Sequence, residues 1–180
     1  MAKLMSLPRL PRAAGGAAMA LVLAIVVAAP AAAAQPTRTV VVAGPLTHFP
    51  AGTGCDFDVT VYRPRGGWTA ITDFTDGREA FVNHVVERTI TNDATGATFV
   101  EVTSSHEVDT FENGVIRGSI SGQFIFEFYP GDVGPDGVIL DHILALYIQG
   151  WASYVIDGTT FATLAITING TTTDICAALS

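Results

Sequence analysis

The sequence predicts an all-β domain, built as an antiparallel meander of about eight strands. After residue 35, runs of β-branched and aromatic residues follow one another without a helical period. Pairs such as Asn113-Gly114, which suit tight hairpin turns, separate these runs. Cys55 and Cys176 lie near the two ends of the region, as expected if those ends meet. A meander with joined ends predicts a closed barrel, with a β-sandwich as the alternative.

Residues 1–34 have the layout of a secretory signal peptide. Three cations precede an apolar run over 17–30, and a run of alanines offers a cleavage site between Ala34 and Gln35. The apolar run is shorter than the roughly 20 residues that span a bilayer, which disfavours an uncleaved membrane anchor. We therefore expect a secreted chain with one β-domain over 35–180 and no membrane contact after cleavage.

The mature region is strongly acidic. Removal of the signal peptide leaves six arginines and no lysine against 17 acidic residues, a net charge of −11. Such a surface repels phosphate, so nucleic acid is excluded as a partner and docking to an anionic membrane is disfavoured. The overall field favours a cationic ligand, or acts only to keep the protein soluble.

The two cysteines are predicted to form a disulfide. An exported chain enters an oxidising compartment, where two cysteines usually pair. A redox or metal thiol is disfavoured, because there is no C-x-x-C motif and no histidine lies close to Cys55 or Cys176 in sequence. The bond requires Cα atoms within about 7 Å. The start and the end of the mature chain should therefore meet.

Alternating apolar residues predict the strands, and glycine, proline and asparagine residues predict the turns between them. The candidate strands are 37–44, 55–63, 69–75, 79–92, 97–111, 115–129, 138–156 and 159–169. Hairpin turns are expected at Asp76-Gly77, Asn113-Gly114 and Asp157-Gly158. Strands joined by such short turns are antiparallel neighbours.

Two of these strands have a distinctive pattern. Segment 115–129 alternates clearly, with Gly118 and Gly122 on its apolar face, where glycine permits a sharp bend or close packing. Segment 138–156 is apolar on both faces. A contact between copies of the chain, or cover from the N-terminal segment, would explain that pattern.

Four polar residues fall on the apolar phase of three strands. They are His84, Arg88, His106 and His142. If that phase faces inward, they form an interior cluster suited to a ligand, and the arginine needs a buried partner. The alternatives are ordinary core histidines, or a β-bulge that turns later residues to the other face. No two histidines have the i, i+2 spacing of a zinc site, so we expect no metal and no cofactor.

Short motifs follow one another in a fixed order over roughly residues 50–180: "GTGCDFDVTV", "TDFTDGRE", "TITNDATGATF", "GQFIFEFYPGDVG" and "TDICAAL". This combination resembles a family of small secreted actinobacterial proteins of unknown function. The family pattern has an early G-x-x-C-x-F segment and a C-terminal D-[IL]-C-A-A-L. The resemblance implies export and pairing of Cys55 with Cys176. It implies no activity.

The sequence favours a non-catalytic protein that binds a small apolar or cationic ligand, or a partner. It contains neither G-x-S-x-G nor H-E-x-x-H. One alternative is a small cyclase- or isomerase-like barrel enzyme, in which the histidines and Arg88 would do acid–base chemistry. Another is a surface protein that forms homo-oligomers through 138–156.

Overall fold

A computed structural model describes residues 35–180, so the predicted signal peptide over 1–34 lies outside the described residues. The all-β class is confirmed. The nine strands are β1 (Thr37–Ala43), β2 (Leu46–Phe49), β3 (Val59–Tyr62), β4 (Gly67–Asp73), β5 (Arg78–Asn92), β6 (Thr98–Glu112), β7 (Val115–Phe128), β8 (Leu144–Asp157) and β9 (Thr163–Asp174). One short helix follows, α1 (Ile175–Leu179). Within the described part, no helix has the length and apolar character needed to cross a membrane.

All nine strands belong to one antiparallel sheet. Its main path runs β1-β4-β5-β6-β7-β8-β9, and β2 and β3 extend from β5. The meander is therefore confirmed from β4 to β9. Strand β2 was not predicted, because its four residues lie between Pro45 and Pro50 and are too few to show alternation.

The predicted closed barrel is not formed. Within residues 35–180, no backbone pairing joins β1 to β9, so both remain free edges of an open sheet. The barrel was predicted because a Cys55–Cys176 bond was expected to bring the first and the last strand together. That bond instead joins the loop before β3 to α1, and it leaves the two edge strands apart.

Strand β5 has two partners along one edge. Strand β4 pairs with 79–83 and β3 pairs with 89–92. Between them the register with β6 shifts after Asn83, which marks a β-bulge. No described strand pairs with this edge over 84–88. The sheet therefore has a notch between β3 and β4, and the loop 63–66 connects these two strands beside it.

Three glycines stand side by side on β7, β8 and β9. Gly122 pairs with Gly150, which pairs with Gly170. A Cβ at Gly150 would lie 2.2 Å from a carbonyl oxygen of β9, so no larger residue fits this approach. Phe126 and Tyr154 lie on opposite sides of the row, yet their ring centroids are 5.3 Å apart. The three strands therefore fold over at the glycine row, as predicted for Gly122.

The fold-over gives the sheet an inner face. It carries the even-numbered residues of β7 and β8 and the odd-numbered residues of β6, according to the strand registers. Packing of the inner face on itself makes the fold core, formed by Ile120, Phe124, Phe128, Leu146, Ile148, Ala152 and Tyr154. This arrangement is closer to the sandwich alternative than to a barrel.

A second cluster, the corner core, lies under α1. Its buried members are Cys55, Val59, Val61, Ile90, Ala145, Tyr147, Ile175 and Leu179. Strand β8 thus contributes alternate residues to both cores, which accounts for its two apolar faces over 144–148 without a second copy of the chain. Val138 and Ile139, at the start of the predicted contact segment, are exposed.

The predicted disulfide is confirmed. Cys55 and Cys176 are bonded, with Cα atoms 5.6 Å apart. Helix α1 begins after Asp174, whose side chain accepts a hydrogen bond from the backbone N–H of Ala177. The helix buries Ile175 in the corner core. The chain end is therefore held by a cap, a covalent bond and apolar packing together.

Candidate functional site

The inner face of β6 is polar. The sequence predicted the reverse, with the even-numbered valines of this strand facing inward. Val100 and Val108 face outward and are 59% and 41% exposed. The inner residues of this strand are Phe99, Glu101, Thr103, Ser105, Glu107 and Asp109. Buried polar groups need partners. Of the seven buried polar residues in the described part of the chain, this strand carries three, Glu101, Thr103 and Ser105.

The predicted interior histidine cluster is wrong. His84 and His106 are both exposed on the outer face, and the ring of His84 stacks on Trp68 with centroids 4.9 Å apart. The even-numbered residues of β6, and those of β5 before the bulge, face outward, which exposes His106 and His84. The bulge after Asn83 then turns Arg88 inward, although it also occupies an even position. A regular alternation would have kept His84 and Arg88 on one face.

His142 is also outside the predicted cluster. It is exposed in the loop before β8, with its Nδ1 2.8 Å from a carboxylate oxygen of Asp141. The hydrogen bond to this carboxylate raises the pKa of His142. The three histidines therefore do not converge on an interior site.

Arg88 does have the buried partner that its inward position requires. It lies directly opposite Glu101 in the β5–β6 register. Its Nε donates to the Glu101 carboxylate and its Nη2 donates to the Thr103 hydroxyl. That hydroxyl donates in turn to the second oxygen of Glu101 at 2.9 Å. The Glu101 side chain is 0% exposed, and both its oxygens are occupied.

A second arginine lies beside this pair without a carboxylate of its own. Arg63 follows β3 and is 9% exposed. Its Nη1 donates to Thr47 Oγ1 at 2.9 Å and to the Gly44 carbonyl oxygen at 3.5 Å. No carboxylate in residues 35–180 lies within 4.0 Å of its guanidinium.

The electrostatics of Arg63 reflect this arrangement. Burial lowers the pKa of Arg63 first, and the positive charge of Arg88 lowers it further, whereas Glu101 acts in the opposite direction. Two guanidinium groups thus lie near one buried carboxylate, which is paired with Arg88 alone. The site carries one positive charge that no neighbouring side chain balances at close range.

The two arginines border two cavities. The notch cavity, of about 120 Å³, has mixed polar and apolar walls without a carboxylate and is lined by Ala43, Arg63, Gly67, Trp68, Thr69, Asn83, Arg88 and Thr103. The corner cavity, of about 70 Å³, adjoins the corner core. Besides the arginines it is lined by Phe49, Gly54, Cys55, Val59, Val61, Ile90, Ile125, Glu127, Ala145 and Ile175.

A chain of hydrogen bonds fixes the wall of the notch cavity. Thr69 Oγ1 donates to Asn83 Oδ1 at 2.6 Å, and Asn83 Nδ2 donates to Ser105 Oγ at 2.9 Å. The three side chains lie in one row across β4, β5 and β6. This row fixes the orientation of the Asn83 amide and anchors the strand where the bulge begins.

At the other end of the inner face lies an acid–tyrosine cluster, formed by Tyr154, Glu107 and Asp109. The Tyr154 hydroxyl lies within hydrogen-bond distance of both carboxylates and has a single proton to donate. Its ring lies against Gly118, where a Cβ would be 2.2 Å away. Burial raises the pKa of Glu107 and of Asp109. Within residues 35–180, no group of three His, Cys, Asp or Glu side chains has the arrangement of a metal site.

Sequence reasoning identified Arg88 but missed Arg63 and Glu101. Glu101 carried a usable signal, because it lies inside a predicted strand between Val100 and Val102. Its side chain therefore faces the opposite side of the sheet from both valines. Arg63 carried none, since an arginine before Pro64 has the local pattern of an exposed turn.

No protein-family model matches this chain, and no curated protein or solved structure is significantly similar to it. The function is therefore inferred from the geometry of the site.

Proposed function

We propose that the mature chain is an exported, non-catalytic binding protein. Its ligand site is the arginine site, defined as Arg63, Arg88 and the notch and corner cavities beside them. One observation carries this proposal: Arg63 is nine-tenths buried, faces two cavities and has no carboxylate within 4.0 Å among residues 35–180. A buried charge is stable only when it is paired, so a ligand is the natural partner.

The side chains at the site support binding over catalysis. Glu101 is the nearest candidate for a general base, but Arg88 and Thr103 occupy both its oxygens. The histidines that a cyclase- or isomerase-like mechanism would use point away from the site. Acid–base catalysis needs a group that can exchange a proton within hydrogen-bond reach of the substrate. The arginine site offers permanent donors instead.

Export is part of the proposal and rests on the N-terminal sequence. The charged start, the apolar run and the alanine-rich end of residues 1–34 support cleavage near Gln35. The confirmed disulfide supports the same conclusion, because such bonds persist in oxidising compartments.

Native mass spectrometry of protein purified from its own culture medium tests the proposal. We expect a mass that begins at Gln35, is two hydrogens below the reduced chain, and includes a small molecule that denaturation releases. A mass that retains residues 1–34 would contradict export. A ligand-free protein that also shows no thermal shift with a broad small-molecule panel would contradict the binding function.

A second candidate function is self-association through the free edge of β1. Val40, Val41 and Val42 are 53%, 52% and 75% exposed on this edge, and an unprotected edge strand is a template for pairing with another chain. Light scattering after size exclusion should show dimers that Val41→Lys converts to monomers. Val100→Lys, at an exposed valine away from the edge, is the control. A wild-type monomer at all concentrations would dismiss this candidate.

The segment 138–156 is a further route to a homo-oligomer. Its first residues support it, because Val138 and Ile139 are 58% and 69% exposed in a loop. The residues from 144 to 148 do not, because the two cores of the same chain already cover them. Ile139→Lys in the same scattering measurement separates this surface from the β1 edge.

A further inference from the structure

We propose that the arginine site binds a small carboxylic acid with a short aliphatic tail. The carboxylate lies between Arg63 and Arg88, and the tail occupies the corner cavity. This inference rests on the proposed binding function and names its ligand class.

The arginines select the head group. Of the three guanidinium nitrogens of Arg63, Nη1 alone donates a hydrogen bond to another group of residues 35–180. Nε and Nη2 are therefore available to a ligand. These two nitrogens form the fork that a carboxylate bridges with two parallel hydrogen bonds. Since Glu101 balances only one of the two guanidinium charges, a monoanion would bring the site to neutrality.

The corner cavity selects the tail. Its walls are mainly apolar, and the two arginines belong to its lining. Its volume of about 70 Å³ is far below the roughly 300–1,000 Å³ of sites for drug-sized ligands, so the tail is limited to a few carbons. Inorganic phosphate would leave this apolar space empty, which favours an organic acid.

Two features oppose the binding of an anion, and both repel it less than Arg63 and Arg88 attract it. The net charge of −11 repels anions from the surface as a whole, but salt screens exposed charges beyond a Debye length of about 8 Å. Glu127 also lines the corner cavity, and it is exposed and accepts a hydrogen bond from the Tyr129 hydroxyl. The buried arginines act at contact distance, where screening by water is least.

Isothermal titration calorimetry on the oxidised protein tests the inference with acetate, butanoate, hexanoate and hexan-1-ol. Each buried methylene should raise affinity about fourfold until the cavity is full. Hexanol carries the same tail as hexanoate without the charge. We expect it to bind at least tenfold more weakly.

The head-group contact is tested with matched arginine variants. Arg63→Gln should lower the affinity for hexanoate at least tenfold. Arg65→Gln, at an exposed position on the same loop, should leave it unchanged. Arg63→Lys keeps the charge but loses the fork, so its affinity should fall between those of the wild type and Arg63→Gln. If Arg63→Gln fails to fold, Arg63→Lys and the wild-type comparison with hexanol still decide the question.

The outcomes separate this inference from the binding function. Equal affinities for hexanoate and hexanol, or unchanged hexanoate affinity in Arg63→Gln, would overturn the carboxylate site. A natural ligand without an acid group, released in native mass spectrometry, would overturn the ligand class and leave the binding function intact. If no small molecule is retained in native mass spectrometry and none shifts the melting temperature, both the ligand class and the binding function are contradicted.

Discussion

Glu101 is the residue on which the buried charges depend. It is fully buried and is the one carboxylate paired with Arg88 among residues 35–180. The attraction between Glu101 and Arg88 by itself adds little to the free energy of unfolding. Removal of Glu101 lowers it strongly, because an uncompensated buried guanidinium is far less stable than a paired one. The same balance would let a ligand carboxylate act as a second partner for the two arginines.

Glu101→Gln should therefore destabilise the protein strongly. The amide keeps the shape but removes the negative charge, and we expect a loss of about 3 kcal/mol in the free energy of unfolding. Glu87→Gln, at an exposed position on the neighbouring strand, should change it by less than about 0.5 kcal/mol. Urea denaturation of both variants checks this. Equal effects would show that the pair has no role in stability.

Glu107 illustrates the opposite situation, a partly buried acid among other acids. Burial raises its pKa first, and the charges of Asp109 and Glu79 raise it further, against the hydrogen bond from Tyr154. The folded state therefore holds the Glu107 proton more tightly than the unfolded state does. This contribution to stability is fully present below the unfolded pKa, near 4 for a glutamate, and is lost as pH rises through the folded pKa.

Glu107→Gln should remove that pH dependence. The variant stays neutral, so we expect it to be more stable than the wild type at pH 7, by about 1 kcal/mol, and equal to it below pH 4. Thermal melts from pH 3 to 8 make the comparison, with the exposed Glu112→Gln as control. A variant that is less stable at pH 7 would show that the Tyr154 hydrogen bond outweighs the cost of burial.

Among the elements, the glycine row is the most constrained. Gly150 has a φ of +153°, and a Cβ there would meet the backbone of β9 at 2.2 Å. The obstacle is a carbonyl oxygen in the strand ladder, which cannot move without breaking the pairing of β8 with β9. The bend that buries the fold core depends on this close approach.

Gly150→Ala should cost about 3 kcal/mol or more, from steric overlap and backbone strain together. Gly137→Ala provides the matched control, since Gly137 also has a positive φ, of +80°, but nothing lies within 4 Å of the added Cβ. Its cost should be about 1 kcal/mol, from strain alone. Similar losses in the two variants would mean that the row is not required for packing.

The predictability of each strand depended on whether its alternation was regular. Strand β7 was predicted correctly, because its even residues are apolar and do face inward. Strand β6 was predicted with its faces reversed, because Val100 and Val108 face outward while acids and hydroxyls face inward. In β5, the bulge after Asn83 separated two residues that the sequence placed together. Apolar residues continue on even positions across this bulge, at Val82, Val86 and Ile90, so the alternation did not indicate it.

At the scale of the whole molecule, the meander was predictable and its closure was not. Tight turns such as Asn113-Gly114, where both residues have positive φ, determine which strands are neighbours. Closure depends on the summed twist and bending of all strands, and no local motif reports it. The disulfide was correctly predicted from the two cysteines, but it constrains only the loop and the helix that it joins.

Reduction of the disulfide should destabilise the whole domain. The bond spans 121 residues, and loop-closure entropy in the unfolded chain assigns it about 5 kcal/mol. For a domain of this length the melting temperature should fall by about 15 °C. Differential scanning calorimetry with and without dithiothreitol measures the fall. A variant with Cys55→Ala and Cys176→Ala should melt at the lower temperature in both conditions, and an unchanged wild-type melt would contradict the structural role.

The most direct test of the arginine site is a ¹⁵N–¹H nuclear magnetic resonance titration of the oxidised protein with hexanoate. The Nε–H signals of Arg63 and Arg88 report on the two guanidinium groups themselves, and Arg117 is an exposed reference on β7. We predict saturable shifts of the Arg63 and Arg88 signals, together with backbone amides of 63–69 and 83–88, while Arg117 stays unchanged. Shifts confined to other parts of the domain, or none at all, would contradict the site and the function derived from it.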